Sequence, residues 1–250
     1  MTDRIGHIPK LPKAPLQEVI FELYWNMQYT EHGLKFDPGF DIAQGAFANL
    51  IEQEFPIRKK TLPDGVSDHL IYPNPVHRFW KGENTWPVVQ IGPGILTVND
   101  TEKNYHWADS FFPLIQSSVK HVLKAYKEKI SFNKISLRYI DAVELPSEDL
   151  LNFVNSNFQV QINSNFKEPG ALNAISINQS FKLADDSLLS ISISNGLKNN
   201  GKPALIWQSI VQKENNFTEE EVLNWTNNNH SIISDLFKKI IKPEFYGTFL

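Results

Sequence analysis

Glu18-Val19-Ile20-Phe21-Glu22-Leu23-Tyr24-Trp25, near the start of the chain, is rich in β-branched and aromatic residues. A period of two places Val19, Phe21, Leu23 and Trp25 on one face, which predicts a strand with one buried side. Because a strand is stable only beside other strands, we expect the rest of the chain to supply its neighbours.

The first half of the chain continues with a helix, several strands and a second helix. Asp37 as cap and Pro38 in the first turn predict the start of the first helix, which runs to about Phe55. A long amphipathic helix follows from Trp107, or from a few residues later, since Pro113 belongs in a first turn. The strands predicted between them are Arg58–Leu62, His69–Tyr72 continuing into Val76–Trp80, Trp86–Ile91 and Ile95–Asn99.

The second half repeats this order. It opens on a predicted strand at Lys134–Leu145 and a short helix over Glu148–Val154, which Ser147 caps. It ends in a long helical region that a capping box at Thr218-Glu219-Glu220-Glu221 opens and that Asn227-Asn228-Asn229 interrupts. The strands predicted between them are Phe158–Ile162, Leu172–Leu183, Leu188–Ser194 and Leu205–Lys213.

The repeated order predicts an α+β fold built from two tandem repeats of strand, helix, four strands and helix. The repeats cover residues 16–130 and 131–250, and the Pro-rich residues 1–15 form an extended lead-in. Joined edge to edge, the two halves would form one curved antiparallel sheet covered by the long helices. This order resembles the TATA-binding-protein-like saddle or a pair of helix-grip halves, an architectural analogy that carries no function.

Composition excludes several classes of protein. The 250 residues contain no Cys, which excludes disulfides, thiolate metal sites and a Cys nucleophile. The formal net charge of −4 argues against bulk electrostatic capture of nucleic acid or of an anionic membrane. No apolar run approaches the roughly 20 residues of a membrane span, and no signal peptide is recognisable at residue 1. We therefore expect a cytoplasmic protein without membrane association.

The sequence offers no recognisable motif for a metal, a cofactor or a nucleophile. The histidines, among them His69 and His77 on neighbouring predicted strands, lack the spacing of a metal site. Gly92-Pro93-Gly94 is the one glycine-dense segment, and it precedes a strand rather than a helix, so we interpret it as a turn and not as a phosphate site. We predict no catalytic residues, no cofactor and no metal.

A mid-strand arginine is the first candidate binding residue. Arg138 lies on the strand face opposite Tyr139, and a covered arginine must find a carboxylate or a ligand. It would either pair with Glu18, Glu22 or Asp141 across the join of the two halves, or form a fork for an anionic group of a ligand or partner.

Aromatic residues with polar neighbours supply the other candidates. They group at Arg78 and Trp80 and again at His106 and Trp107. Arg and Trp are enriched at the centres of protein interfaces, although aromatic residues in strands also build cores and can stack on bases. The candidate binding residues are therefore Arg138, Tyr139, Trp80, Trp107, Arg78 and His106.

These residues favour a non-enzymatic binding or scaffold protein that holds a partner protein or a small ligand. One alternative is a nucleic-acid-binding protein that uses the curved sheet or the basic helix run Lys120, Lys124 and Lys127. Homodimerisation through an exposed edge strand is also open. Another alternative is an enzyme with an unrecognised acid–base site drawn from four residues, His77, Arg78, Asp100 and His106.

The segment Ala14–Leu23, with its Ala-Pro-Leu-x-Glu-Val-Ile-Phe-Glu pattern, resembles the opening of a sporadically distributed, uncharacterised bacterial protein family. Further similar segments are Gln90–Asn99 with Tyr105–Trp107, Leu137–Asp141, and the closing helix that contains Trp225, His230 and Phe237. The patchy distribution implies an accessory gene, as in phage-defence or toxin–antitoxin systems. This chain departs from the family at Asp141, where the family usually has Asn, and the departure weakens any role for a neutral amide at this position.

Overall fold

A curved antiparallel sheet of nine strands is the centre of the fold in the described part of the chain. The computed structural model describes residues 11–63, 65–68, 72–146, 150–163, 165–166, 169–170 and 172–250. The strands are β1 (Leu16–Trp25), β2 (Gln28–Tyr29), β3 (Lys35–Phe36), β4 (Ile57–Lys60), β5 (His77–Trp80), β6 (Val88–Gly92), β7 (Ile95–Asp100), β8 (Phe132–Glu144), β9 (Ser176–Lys182), β10 (Leu188–Leu197) and β11 (Pro203–Phe217). The helices are α1 (Phe40–Ile51), α2 (Phe112–Ala125), α3 (Leu150–Asn157), α4 (Glu219–Ile240) and α5 (Pro243–Gly247), and a π-helical turn at Trp107–Phe111 precedes α2.

The strand order is β4-β5-β6-β7-β1-β8-β11-β10-β9, and β2 pairs only with β3 in a separate ribbon. The two strands that open the halves, β1 and β8, are therefore neighbours in the middle of the sheet. They pair antiparallel, with Val19 opposite Tyr139 and Ile20 opposite Arg138. The predicted α+β class and the single antiparallel sheet are confirmed.

Period-two alternation decides which side chains enter the core. Every second residue of β1, from Val19 to Trp25, is buried, as the sequence predicts. These side chains pack with buried residues of α1, α2 and α4 in one cluster that runs across both halves. A smaller cluster beside it joins α3, α4 and α5 to β10 and β11 around Trp207. Among the described helices, even the 22-residue α4 lacks the apolar stretch needed to cross a membrane.

A buried carboxylate ties four segments together at one end of the sheet. Oδ2 of Asp37 accepts hydrogen bonds from Trp25 Nε1 at 2.9 Å, Tyr126 Oη at 2.6 Å and the Gly94 backbone N–H at 3.1 Å. Oδ1 accepts from the Gly39 backbone N–H at 3.0 Å. The prediction that Asp37 caps α1 with Pro38 in the first turn is wrong, because α1 begins at Phe40 and its N-cap is Gly39. Asp37 instead holds the end of β1, the β6–β7 turn and the residue after α2.

Local signals at turns and helix ends are confirmed in several places. The capping box of α4 forms between Thr218 and Glu221. Pro113 lies in the first turn of α2, where its missing N–H costs no helical hydrogen bond. Gly92-Pro93-Gly94 is the β6–β7 turn, and Gly94 adopts a φ of +72°, which favours glycine.

Three predictions differ from the structure or lie outside it. Phe158–Ile162 is not a strand, since only Phe158 forms an isolated bridge, to Ile241. α4 continues without interruption through Asn227–Asn229, where Asn229 Nδ2 donates to the carbonyl oxygen of Trp225 one turn earlier. The predicted cap Ser147, the first residues of its helix and the strand start His69 lie outside the described residues.

Replacing the buried carboxylate tests its structural weight. Asp37→Ala leaves two buried side-chain donors, Trp25 Nε1 and Tyr126 Oη, without their acceptor, so we expect the free energy of unfolding to fall by about 3 kcal/mol in urea titrations. The control is Asp41→Ala, which removes an exposed carboxylate from the first turn of α1 and should cost about 0.5 kcal/mol. Equal losses in the two variants would contradict this role of Asp37.

Candidate functional site

The two faces of the nine-stranded sheet differ in what packs on them. The alternate residues that include Phe21 and Leu137 join the core clusters with the helices. The other set, which includes Ile20 and Arg138, contributes no residue to either cluster. We call the first surface the helix face and the second the open face.

Arg138 lies near the middle of the open face, within a ring of isoleucines. Its strand neighbours are Ile20 on β1 and Ile210 on β11, and Ile140 follows it on the same face of β8. All three isoleucines are half-buried. The Nε of Arg138 is buried and has no hydrogen-bond partner among the described residues. The guanidinium is thus partly buried, with three isoleucines beside it and the carboxylates of Glu18 and Glu22 on the neighbouring strand.

The carboxylates expected to pair with this arginine do not do so. Among the ion pairs of the described residues, none joins Arg138 to Glu18, Glu22 or Asp141. Asp141 lies on the opposite face of β8, and Oε1 of Glu18 instead accepts a hydrogen bond of 2.8 Å from Asn99 Nδ2. The ion pair that the sequence suggested for Arg138 is therefore not found among the described residues.

A line of buried amides crosses the open face beside Arg138. Gln90 Nε2 donates to Thr97 Oγ1 at 2.9 Å and to Asn99 Oδ1 at 3.2 Å, and Asn99 continues the line to Glu18. Oε1 of Gln90 is buried without a partner among the described residues. Two buried polar atoms on this side of the sheet, Arg138 Nε and Gln90 Oε1, are therefore without a partner among the described residues.

Two more candidate residues share this face at a distance. Arg78 is exposed and Trp80 half-buried on the open face of β5, opposite Gln90 and Val88 of β6. Four strand spacings separate β5 from β8, which is about 19 Å. Arg78 and Trp80 therefore belong to the same surface as Arg138 but do not touch it.

Tyr139 and Trp107 lie on the helix face, in a buried cluster that the sequence did not predict. Tyr139 Oη is 2.6 Å from Tyr105 Oη and 2.8 Å from His230 Nδ1. Trp107 stacks on the imidazole of His230 with ring centroids 3.9 Å apart and planes 10° from parallel, and its Nε1 donates to Asn227 Oδ1 at 3.1 Å. This cluster attaches α4 and the turn before α2 to the centre of the sheet.

The Tyr139–His230 cluster is uncharged near neutral pH. Burial lowers the pKa of His230 to about 4, so its imidazole is neutral and can accept a hydrogen bond at Nδ1. Burial also raises the pKa of Tyr105 and of Tyr139, so both keep their protons. The hydroxyls of Tyr105 and Tyr139 and the Nδ1 of His230 are hydrogen-bonded to one another, so the cluster holds the helices on the sheet.

Asp141 is a buried acid two residues beyond Tyr139 on the same face of β8. Burial raises its pKa to about 8. Its neighbour on β11 is Trp207, whose Nε1 is buried without a partner among the described residues. The carboxyl group is therefore mostly protonated at neutral pH.

The four residues of the enzyme hypothesis do not converge. His77 and Arg78 lie on opposite faces of β5, and His106 is exposed at the start of the π-helical turn. Asp100 lies on β7, two strands from β5 and four residues beyond Leu96, which is level with His77. Asp100 and His77 are therefore on the order of 15 Å apart. Burial, with the nearby Arg58, lowers the pKa of His77 to about 4. Among the described residues no group of three potential metal ligands is found.

A groove between α2 and the first turns of α4, with a volume of about 470 Å³, changes the meaning of the basic helix run. Lys120 lines this groove together with Glu219 and Glu220. Lys120, Lys124 and Lys127 are all exposed. Lys127 lies beyond the end of α2, so the predicted run of three lysines on one helix is reduced to Lys120 and Lys124.

His230 is the residue that reasoning from sequence missed. Thr226 and Ile233, one turn to either side of it on α4, are both buried, which places His230 on the inner edge of the helix. That signal identifies a core-facing histidine, but its partner Tyr139 is 91 residues away along the chain.

The structure thus shows an α+β protein with a large curved antiparallel sheet, in which Arg138 lies near the middle of the open face. No family model matches the chain, and no curated protein matches it significantly. The resemblance to a sporadic bacterial family therefore stays a prediction from sequence.

The buried acid makes stability depend on pH with a defined sign. Between about pH 4, where an unfolded Asp titrates, and about pH 8, folded Asp141 holds a proton that the unfolded chain has lost, so this residue makes stability fall as pH rises. We expect Asp141→Asn to raise Tm clearly at about pH 8.5 and little at about pH 5.

Thermal unfolding followed by circular dichroism at both pH values measures this difference. Asp41→Asn, which changes an exposed carboxylate, is the matched control and should shift Tm equally at the two pH values. An equal effect of Asp141→Asn at the two pH values would contradict a raised pKa for Asp141.

Proposed function

We propose that this chain is a non-enzymatic binding protein that holds a partner protein on the open face of its sheet, with Arg138 at the centre of the contact. The observation that carries the proposal is the buried, unpartnered Nε of Arg138 among half-buried isoleucines. An arginine in such surroundings lowers the stability of the free chain unless something else compensates its charge.

The environment of Arg138 is that of an interface anchor. Arginine is enriched among the residues that contribute most to protein interfaces, where apolar neighbours exclude water from its contacts. Ile20, Ile140 and Ile210 supply such neighbours. The planar guanidinium suits a bidentate contact with a carboxylate, so we propose that the partner presents an Asp or Glu side chain here.

The size of the open face favours a protein over a small ligand. Nine strands span about 38 Å across the sheet, wide enough for the roughly 800 Å² that each partner contributes to a stable interface. Small ligands are instead held in enclosed pockets.

Charge around Arg138 disfavours nucleic acid as the occupant. Glu18 and Glu22 lie on the same face, one strand away on β1, and would repel a polyanion while leaving room for a single carboxylate. The net charge of −4 also disfavours a polyanion.

We also propose that the two halves derive from one duplicated unit, as in a saddle of the TATA-binding-protein type. The support is the mirrored strand order, in which β7-β6-β5-β4 extends from β1 on one side and β11-β10-β9 extends from β8 on the other. Under this proposal Arg138 lies at the junction of the two units.

The accessory-gene setting implied by the family resemblance extends the proposal. It places the partner among the proteins of the same bacterial system, such as phage defence or a toxin–antitoxin pair, and in the cytoplasm. No contact in the structure bears on that setting, so the experiments below do not depend on it.

The first experiment measures how much Arg138 lowers the free energy of unfolding of the free protein. Arg138→Met keeps a long apolar side chain among the isoleucines and removes the charge, so we expect the free energy of unfolding to rise by about 1 kcal/mol. Lys134→Met is the matched control on the same face of β8; its ammonium is paired with Glu214 at 3.3 Å, so its removal should leave stability unchanged or slightly lower. A clear loss of stability in Arg138→Met would make Arg138 a structural residue.

The second experiment measures binding with the same variants. Each is used as bait in native cells, and a protein retained by the wild type is then purified and titrated calorimetrically. We expect Arg138→Met to raise Kd by about 30-fold, which corresponds to a loss of about 2 kcal/mol of binding free energy. Lys134→Met should leave Kd within about twofold of the wild type. Unchanged affinity of Arg138→Met would contradict the proposed centre of the interface.

A further inference from the structure

The two outer edges of the nine-stranded sheet differ in length and charge. β4, at one edge, has four residues, and three of them are cations, Arg58, Lys59 and Lys60. β9, at the other edge, has seven residues and no charge from Ser176 to Phe181. Every residue of β9 except the half-buried Ile177 is exposed.

An edge strand of this kind is open to further pairing. Unpaired backbone N–H and C=O groups at a sheet edge bind other strands unless short length, charge or a cover prevents it. β4 carries two of these protections and β9 carries neither along its first six residues. β10 is the one strand that pairs with β9 in the described part of the chain.

The missing neighbour of β9 also shows in the strand order. Four strands, β7, β6, β5 and β4, extend from β1, but only three, β11, β10 and β9, extend from β8 among the described residues. The second half therefore ends one strand earlier than the first. In the first half, the corresponding strand β5 has β4 as its outer neighbour, whereas β9 has no outer neighbour among the described residues.

We propose that β9 pairs antiparallel with β9 of a second copy of this chain, which gives a symmetric dimer with one continuous sheet. Full overlap of the two seven-residue strands places the twofold axis at Gln179. Ile177 of one copy then lies opposite Phe181 of the other, and Asn178 lies opposite Ser180. This register pairs apolar with apolar on the helix face and polar with polar on the open face.

A second copy fits this edge for three reasons. Lys182, the only charge in β9, lies opposite Ser176 in this register, so no like charges meet. The cationic β4 edge resists self-pairing, so association through β9 closes at a dimer and does not grow into a filament. Phe181, whose side chain is 45 % exposed, gains cover from the other copy.

This dimer is independent of the function proposed above, because it uses backbone groups at an edge and leaves the open face around Arg138 accessible. The dimer experiment measures self-association and the partner experiment measures binding to another protein. Failure of one therefore leaves the other standing.

A charge exchange at the twofold axis tests the dimer. Sedimentation velocity of the wild type over a range of concentrations should give a dimer that dissociates on dilution. Gln179→Lys and Gln179→Glu each place like charges opposite each other at the axis, so each alone should weaken self-association by about tenfold or more. An equal mixture of the two variants should restore the dimer, because opposite charges then meet.

Lys59→Glu on the β4 edge is the control and should leave the dimer intact. Circular dichroism of Gln179→Lys, Gln179→Glu and Lys59→Glu checks that each variant is folded. A wild type that stays monomeric at about 100 μM, a dimer that Gln179→Lys leaves unchanged, or a mixture that remains monomeric would each overturn the proposal.

Discussion

The antiparallel pairing of β1 with β8 is the constraint on which the rest of the structure depends. It joins strands that begin the two halves of the chain, so that one core cluster extends through both. Its register also fixes the faces. Val19 opposite Tyr139 directs both toward the helices, and Ile20 opposite Arg138 directs both to the open face. A shift by one residue would exchange these roles, and would bury a charged guanidinium under α4.

Local sequence patterns predicted more of the fold than of the candidate site. The alternation of β1, the capping box at Thr218 and the turn at Gly94 are each set by neighbours in sequence, and each is confirmed. Adjacent residues such as Arg138 and Tyr139 were grouped as one binding set, although period two must place them on opposite faces. The partners of Tyr139, which are Tyr105 and His230, come from distant segments that pattern alone could not bring together.

The predictions that were wrong depend on tertiary context. Phe158–Ile162 has the composition of a strand, but Phe158 packs against Trp207 and forms only an isolated bridge, to Ile241. The run Asn227–Asn229 has low helix propensity, yet the capping box before it and the buried Trp225 and Ile233 around it hold α4 together. Asp37 was predicted as a cap from its position before Pro38, and its contacts with Trp25 and Tyr126 could not be read from that position.

The contrast between two polar groups on β8 connects stability with function. On the helix face, Tyr139 belongs to a cluster in which hydroxyl, imidazole and indole groups are matched and uncharged, so it stabilises the free protein. On the open face, one residue earlier, Arg138 leaves its buried Nε without a partner among the described residues. An apolar side chain among Ile20, Ile140 and Ile210 would avoid the desolvation of a guanidinium, so Arg138 adds less to the stability of the free chain than Tyr139 does. Under the proposed function, the partner that covers this face supplies the contact that offsets this desolvation.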